Sequence, residues 1–164
     1  MPIRPWGCTA AFEAINPGAS LDTVRRYESK KHAHTLFESL AQEGIRVPAQ
    51  HHVRSQRELA RELARGGRLV LKKEYGAGGS GTLVVSGGQR VSRPMASDVL
   101  VEEYVDGEGP YRNPTFDGVV DDDVYPVGVG LMEVAGTGYR GVTVGPGVLP
   151  ARLTDTAVAF GTAV

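Results

Sequence analysis

The segment Val70-Leu71-Lys72-Lys73-Glu74-Tyr75-Gly76-Ala77-Gly78-Gly79-Ser80-Gly81-Thr82 sets two lysines just before a glycine-rich stretch. A phosphate chain needs backbone N–H donors that can come close, which glycine allows, and a cation to offset its charge, which Lys72 can supply. The spacing G-x-x-x-x-G-K-[ST] is absent and the lysine precedes the glycines, so this is not a Walker loop. The same composition also suits a hairpin tip with solvated lysines. Roughly thirty residues on comes Val101-Glu102-Glu103-Tyr104-Val105-Asp106-Gly107-Glu108. A strand leaving its sheet can offer C=O and N–H to the edge of an adenine ring, and a nearby carboxylate can accept ribose hydroxyls. Alone, this segment also reads as an ordinary strand ending in a turn.

Other polar groups read as surface. His32 and His34 are two apart on an expected helix and point to different faces. His51 and His52 fall in an expected connector, where adjacent side chains diverge. Asp121 to Asp123 lack the spacing of a calcium loop and suit a solvated hairpin turn. Arg57, Arg61 and Arg65 are interleaved with Glu58 and Glu62, which gives i,i+3 pairs on a solvated face. Cys8 has no activating pattern around it.

The elements that must position these groups follow from periodicity. Residues 22–43 read as one helix, with Ala33, Leu36, Phe37, Leu40 and Ala41 as its apolar stripe and Gly44 and Pro48 as its stop. Ser55-Gln56-Arg57-Glu58 is a capping box that opens a helix burying Leu59, Ala60, Leu63 and Ala64, and Gly66-Gly67 ends it. Strands are expected at 68–74, 82–86 and 99–105, then a hairpin of 116–120 and 124–134 around the three aspartates, and a further strand at 139–144. Thr154 is the expected cap of a last helix facing inward through Ala157, Val158, Gly161 and Val164. Residues 1–20 show no period, with Trp6 and Phe12 as expected anchors. The expected class is α+β: an antiparallel sheet with helices packed on one face.

Composition sets outer bounds. Of 164 residues 41% are hydrophobic and 23% charged, the balance of a folded globular chain. No apolar run reaches the ~18 residues of a membrane helix, and no signal-like segment opens the chain. One cysteine makes no internal disulfide. A cytoplasmic location without a membrane partner is expected. The net charge of −1 hides an asymmetry: residues 22–74 hold 12 basic against 7 acidic side chains, and residues 98–133 hold 1 against 10. The acidic half argues against a nucleic-acid platform along the whole chain.

Taken in order, these segments resemble the ATP-grasp superfamily of carboxylate–amine ligases. The matching residues are Ser29-Lys30 opening a helix, Glu43-Gly44-Ile45-Arg46-Val47-Pro48, Val70-Leu71-Lys72 with Gly76 to Gly81, and Val101 to Glu108. They span roughly residues 30–134. The stretch from Asp117-Gly118-Val119-Val120 through Tyr139 to Gly147 is similar to the peptide-ligase branch. Lys73 stands where proline commonly follows the strand lysine, and the first helix is a few residues longer than the usual pattern.

The resemblance implies an ATP-grasp-like fold with three parts: a remnant at 1–21, a first subdomain with its lid at 22–105, and the start of a second, incomplete subdomain at 106–164. It implies that Lys30 (or Lys31) and Lys72 contact phosphates and that Gly76, Gly78, Gly79, Ser80 and Gly81 form the lid. It implies that the backbone of Glu103 and Val105, flanking Tyr104, pairs with adenine beside Glu102, and that Glu108 holds the ribose. ATP and Mg²⁺ would be the cofactors, and a carboxylate and an amine the substrates. The family's Glu-x-Asn magnesium pair occurs nowhere in this sequence. The expectation is therefore the ATP-binding portion of a peptide-bond-forming ligase, with magnesium ligands outside this chain and no ligation by the chain alone. The alternatives are a non-catalytic protein-interaction module, or one subunit of a split ligase completed by a second chain or copy.

Overall fold

A computed structural model describes residues 10–14, 20–41, 45–89, 91, 99–107 and 109–164. Trp6, Cys8, Glu43, Gly44, Glu108 and the side chain of Phe12, all singled out in the sequence, lie outside the described residues. The chain is α+β with antiparallel sheets. No described helix is long and apolar enough to cross a membrane.

The helices are α1 (Ala10–Glu13), α2 (Leu21–Glu28), α3 (Lys30–Leu40), α4 (Gln56–Ala64) and α5 (Ala151–Ala163). The one helix expected over 22–43 is two. Ser29 breaks it in an extended conformation (φ −70°, ψ 114°), and its hydroxyl accepts from the His32 N–H to cap α3. Serine suits this because its oxygen replaces a lost intrahelical acceptor.

Four strands form the first sheet in the order β1 (Gln50–Val53), β4 (Val99–Glu103), β2 (Arg68–Lys73), β3 (Thr82–Ser86), every pair antiparallel. Residues 50–53, expected as a connector, are thus an edge strand. Its Gln-His-His-Val sequence carries too little β-branched or aromatic character to announce one.

Strand alternation sorts this sheet into two faces. One face carries Val53, Leu71, Val85, Val99 and Val101, which close on Leu59 and Leu63 of α4 with Leu69 and Val91 at the margin. Ala60 and Ala64, expected inside, are exposed. The helix touches the sheet along the narrow i,i+4 line of the two leucines, and the alanines face away. The Ser55 hydroxyl accepts from Glu58 N at 3.2 Å as the capping box requires. Glu58 Oε2 accepts from Arg54 N at 2.8 Å, one residue before the cap, so it forms no expected pair with Arg61.

The second sheet is a meander, β5 (Pro114–Val120), β6 (Val124–Ala135) and β7 (Gly138–Val144), with bulges at Asp117/Gly118 and Glu133/Val134. Helix α5 packs on β5 and β6, with Gly161 against the Phe116 ring. Its cap is Pro150 rather than Thr154, whose N–H instead donates to Pro150 O at 3.0 Å inside the first turn. Proline presets a φ suited to helix entry, so the helix starts earlier than the threonine suggests. Val164, expected inside, is 50% exposed at the end of α5. The Phe37 ring of α3 meets that of Phe160 of α5, centroids 5.6 Å apart, and links the two layers.

Candidate functional site

The second face of the first sheet carries Gln50, Val70, Lys72, Leu100 and Glu102. Register sets Val70 and Gln50 opposite Glu102, and Lys72 opposite Leu100. Lys72 and Glu102 are therefore diagonal neighbours, close enough for their long side chains to meet. Lys72 Nζ donates to Glu102 Oε2, and Gln50 Nε2 donates to Glu102 Oε1 at 2.8 Å. Glu102 is 7% exposed and needs both donors, because a buried carboxylate left unpaired is costly. The sequence reading named Lys72 and Glu102. It missed Gln50, whose strand it did not anticipate.

Lys30 comes to this cluster from the start of α3. Its N–H donates to Glu74 O at 3.2 Å, just past β2. Its Nζ donates to Gly76 O at 2.7 Å and to Glu74 O at 3.5 Å. Burial lowers the Lys30 ammonium below its ordinary pKa, and the nearby Lys72 charge lowers it further, against the raising pull of Glu102 and Glu28. A second ammonium thus stands close enough to Lys72 to feel its charge. Lys31 is exposed.

The glycine loop lies between these lysines and β3. Gly78, Gly79 and Gly81 hold φ of 59°, 83° and 71°, and Gly76 holds 154°. Three bonds shape the loop: Ser80 N to Ala77 O, Thr82 N to Gly79 O and Lys73 N to Gly81 O, at 2.9–3.1 Å. The N–H groups of Gly76, Gly78 and Gly79 have no partner among the described residues. Unpartnered N–H groups beside ammonium ions suit an anion.

The expected adenine edge is built differently at its two ends. Glu103 N donates to Ala49 O at 3.2 Å, and the Glu103 carboxylate takes Arg46 Nη2 at 2.6 Å on both oxygens. Tyr104 N donates to Arg68 O, and the Arg68 guanidinium sits 3.9 Å over the Tyr104 ring and 3.5 Å from Asp106. Val105 is 52% exposed, with no hydrogen-bond partner among the described residues. Glu108 lies outside them.

The remaining polar groups are elsewhere. His32 is exposed. His34, expected at the surface, has a side chain only 11% exposed, with Nε2 2.7 Å from Pro48 O. Arg65 pairs with Glu62 at 2.7 Å. In the three-aspartate turn, Asp122 accepts from Tyr125 Oη at 2.6 Å, which lowers the Asp122 pKa and raises that of Tyr125. Four apolar cavities lie away from the lysines: about 510 Å³ beside Leu59 and Leu63, about 620 Å³ beside Tyr27 and Phe37, about 570 Å³ beside Val129 and Leu149, and about 290 Å³ beside Ile45 and Phe160. No family model matches the chain, and no curated protein matches it.

Proposed function

We propose that the chain is the ATP-binding portion of an ATP-grasp-type carboxylate–amine ligase. The observation that carries this reading is the convergence of Lys30, Lys72 and Glu102, from three separate stretches, beside a loop with unpartnered N–H groups. Each part has a task in that function. Lys30 exchanges its carbonyl partners on the loop for phosphate oxygens, to which charge-assisted bonds are stronger. Lys72 stays oriented by Glu102, which Gln50 holds in turn. The loop N–H groups close over the phosphates, and the exposed Val105, two residues past β4, is left for the base. When bound, ATP supplies the phosphoryl group that makes a carboxylate electrophilic enough for an amine.

The described side chains include no group of three or more His, Cys, Asp or Glu residues able to hold a metal, so no step is assigned to one. The proposal is limited to nucleotide binding by this chain.

The test is thermal unfolding with and without millimolar Mg-ATP, on wild type and on Lys30→Met. A ligand at about 100 times its dissociation constant adds ~2.7 kcal/mol, or about 5–10 °C in this size range. Wild type is expected to shift and Lys30→Met to lose most of the shift. Equal shifts, or none in either protein, sink the site assignment.

A second reading, a non-catalytic interaction module, is favoured by the second sheet, where Val120, Val127 and Val144 are 64–77% exposed. Partner binding indifferent to ATP and to Lys30→Met would support it.

A further inference from the structure

The glycine loop is held at two points by different parts of the fold. At one end, Lys30 Nζ of α3 donates to Gly76 O at 2.7 Å. At the other, Gly79 sits on the turn between β6 and β7. A Cβ on Gly79 would overlap the Thr137 carbonyl oxygen and stand 2.7 Å from its carbon and 3.3 Å from Gly138 Cα. Only a residue without a side chain lets two backbones approach so closely. Gly78, next in the chain, has nothing within 4 Å of the same position. The seat on Thr137 is thus particular to Gly79, and it joins a loop of the first sheet to a turn of the second.

We propose that the glycine loop and the β6–β7 turn open and close as one unit, so that whatever engages Lys30 is felt in the second sheet. Lys30 is tied down at the loop's entrance, and its release frees Gly76. The loop between Gly76 and Gly79 is three peptide units long and braced by its own turn, Ser80 N to Ala77 O at 2.9 Å. A movement at Gly76 therefore reaches Gly79 rather than being absorbed, and with it the Thr137 seat. The coupling itself needs no ligand. Its use as a signal rests on the reading that an anionic ligand draws Lys30 away.

Amide hydrogen exchange on the full chain tests this. Gly79→Ala is expected to speed exchange of the β6–β7 ladder amides flanking the turn, at 134–135 and 138–139, about fivefold or more. Gly78→Ala carries a similar left-handed penalty (φ +59° against +83°) but no turn contact, and should leave those amides unchanged. Lys30→Met perturbs the opposite end of the loop and should also speed exchange at those ladder amides, to which Lys30 makes no bond. Equal turn exchange in Gly79→Ala and Gly78→Ala overturns the proposal, as does a Lys30→Met effect confined to the loop. If Gly79→Ala does not fold, the Lys30→Met arm decides. Millimolar Mg-ATP replaces the Lys30 tether with bonds from the loop's own N–H groups to phosphate, so it should slow both loop and turn in wild type, and the loop alone in Gly79→Ala. Coupling with no ATP effect supports the shared unit and retires the nucleotide reading. ATP protection of the loop without the turn does the reverse.

Discussion

Ser29 and Glu74 tie the start of α3 to the end of β2: the buried Ser29 hydroxyl donates to Glu74 Oε1 at 2.5 Å while accepting from His32 N at 3.3 Å. The pair sets where Lys30 stands, since the next N–H along the chain, that of Lys30, donates to the Glu74 carbonyl. One residue thus ends α2, caps α3 and anchors the candidate phosphate-binding lysine.

Ser29→Ala removes the cap and the bond to a carboxylate together. The expected loss is about 1–3 kcal/mol of stability, read from equilibrium urea unfolding. Lys30 loses its base as well, so ATP affinity should fall although no ligand contact is deleted. A variant with wild-type stability would show that the hydroxyl is dispensable.

Lys72→Met leaves Glu102, 7% exposed, with Gln50 as its one remaining donor among the described residues. The Lys72 side chain is 29% exposed, so solvent relieves part of the cost, and a loss of about 1–3 kcal/mol is expected. The double variant Lys72→Met/Glu102→Gln removes the stranded charge and should recover most of it. A double variant no more stable than the single one contradicts this account. The comparison also separates loss of fold from loss of ligand, which Lys72→Ala alone would confuse.

Lys30 gives the protein a pH signature. Its pKa in the folded chain is lowered, chiefly by burial and then by the Lys72 charge, from an ordinary 10.5. Between the folded value and 10.5 the unfolded chain binds more protons, so Lys30's contribution to stability rises with pH through that window. Below it the full cost of burying the ammonium applies. Wild type should therefore gain on Lys30→Met as pH is raised from about 7 to 10 in parallel denaturation series. ATP affinity should move the opposite way, falling as Lys30 deprotonates. A stability difference that is flat or shrinks with pH refutes the assignment.

Gly161→Ala sets two effects against each other. Alanine in a helix is favoured over glycine by about 1 kcal/mol. Here the new methyl would overlap the Phe116 ring, because α5 lies directly on β5. Overpacking of this kind costs about 1–3 kcal/mol, so a net loss in melting temperature is expected. A rise would mean that α5 can move off the sheet at little cost.

The parts of this fold that were legible beforehand are those written in short-range chemistry. The Ser55 capping box and the Leu59/Leu63 line mark α4. Alternation and glycine-rich turns mark β2, β3, β4 and the β5–β6–β7 meander to within a few residues. Lys72, Glu102 and the glycines stood out because a cation, a carboxylate and unhindered backbone N–H groups in that order are what a phosphate chain and a ribose require. Periodicity failed at Ser29, where it merged α2 and α3 into one helix, although the Ser29-Lys30 pair, read as a helix opening, does mark the start of α3. Local signals failed at Gln50–Val53, whose residues become a strand because β4 offers an edge to pair with.

Residue type and spacing by themselves therefore determined the α+β class, most of the elements and the candidate phosphate-binding groups. Tertiary structure alone decided the strand order that sets β1 beside β4 and so puts Gln50 on Glu102. It also decided the pairing of Lys72 with that carboxylate, the arrival of Lys30 from α3, and the seating of Gly79 on Thr137. Helix caps and turns are settled within a few residues by bonds the chain makes to itself. Strand neighbours and buried charge pairs are settled by which distant surfaces must share one core, and no window of sequence contains both partners.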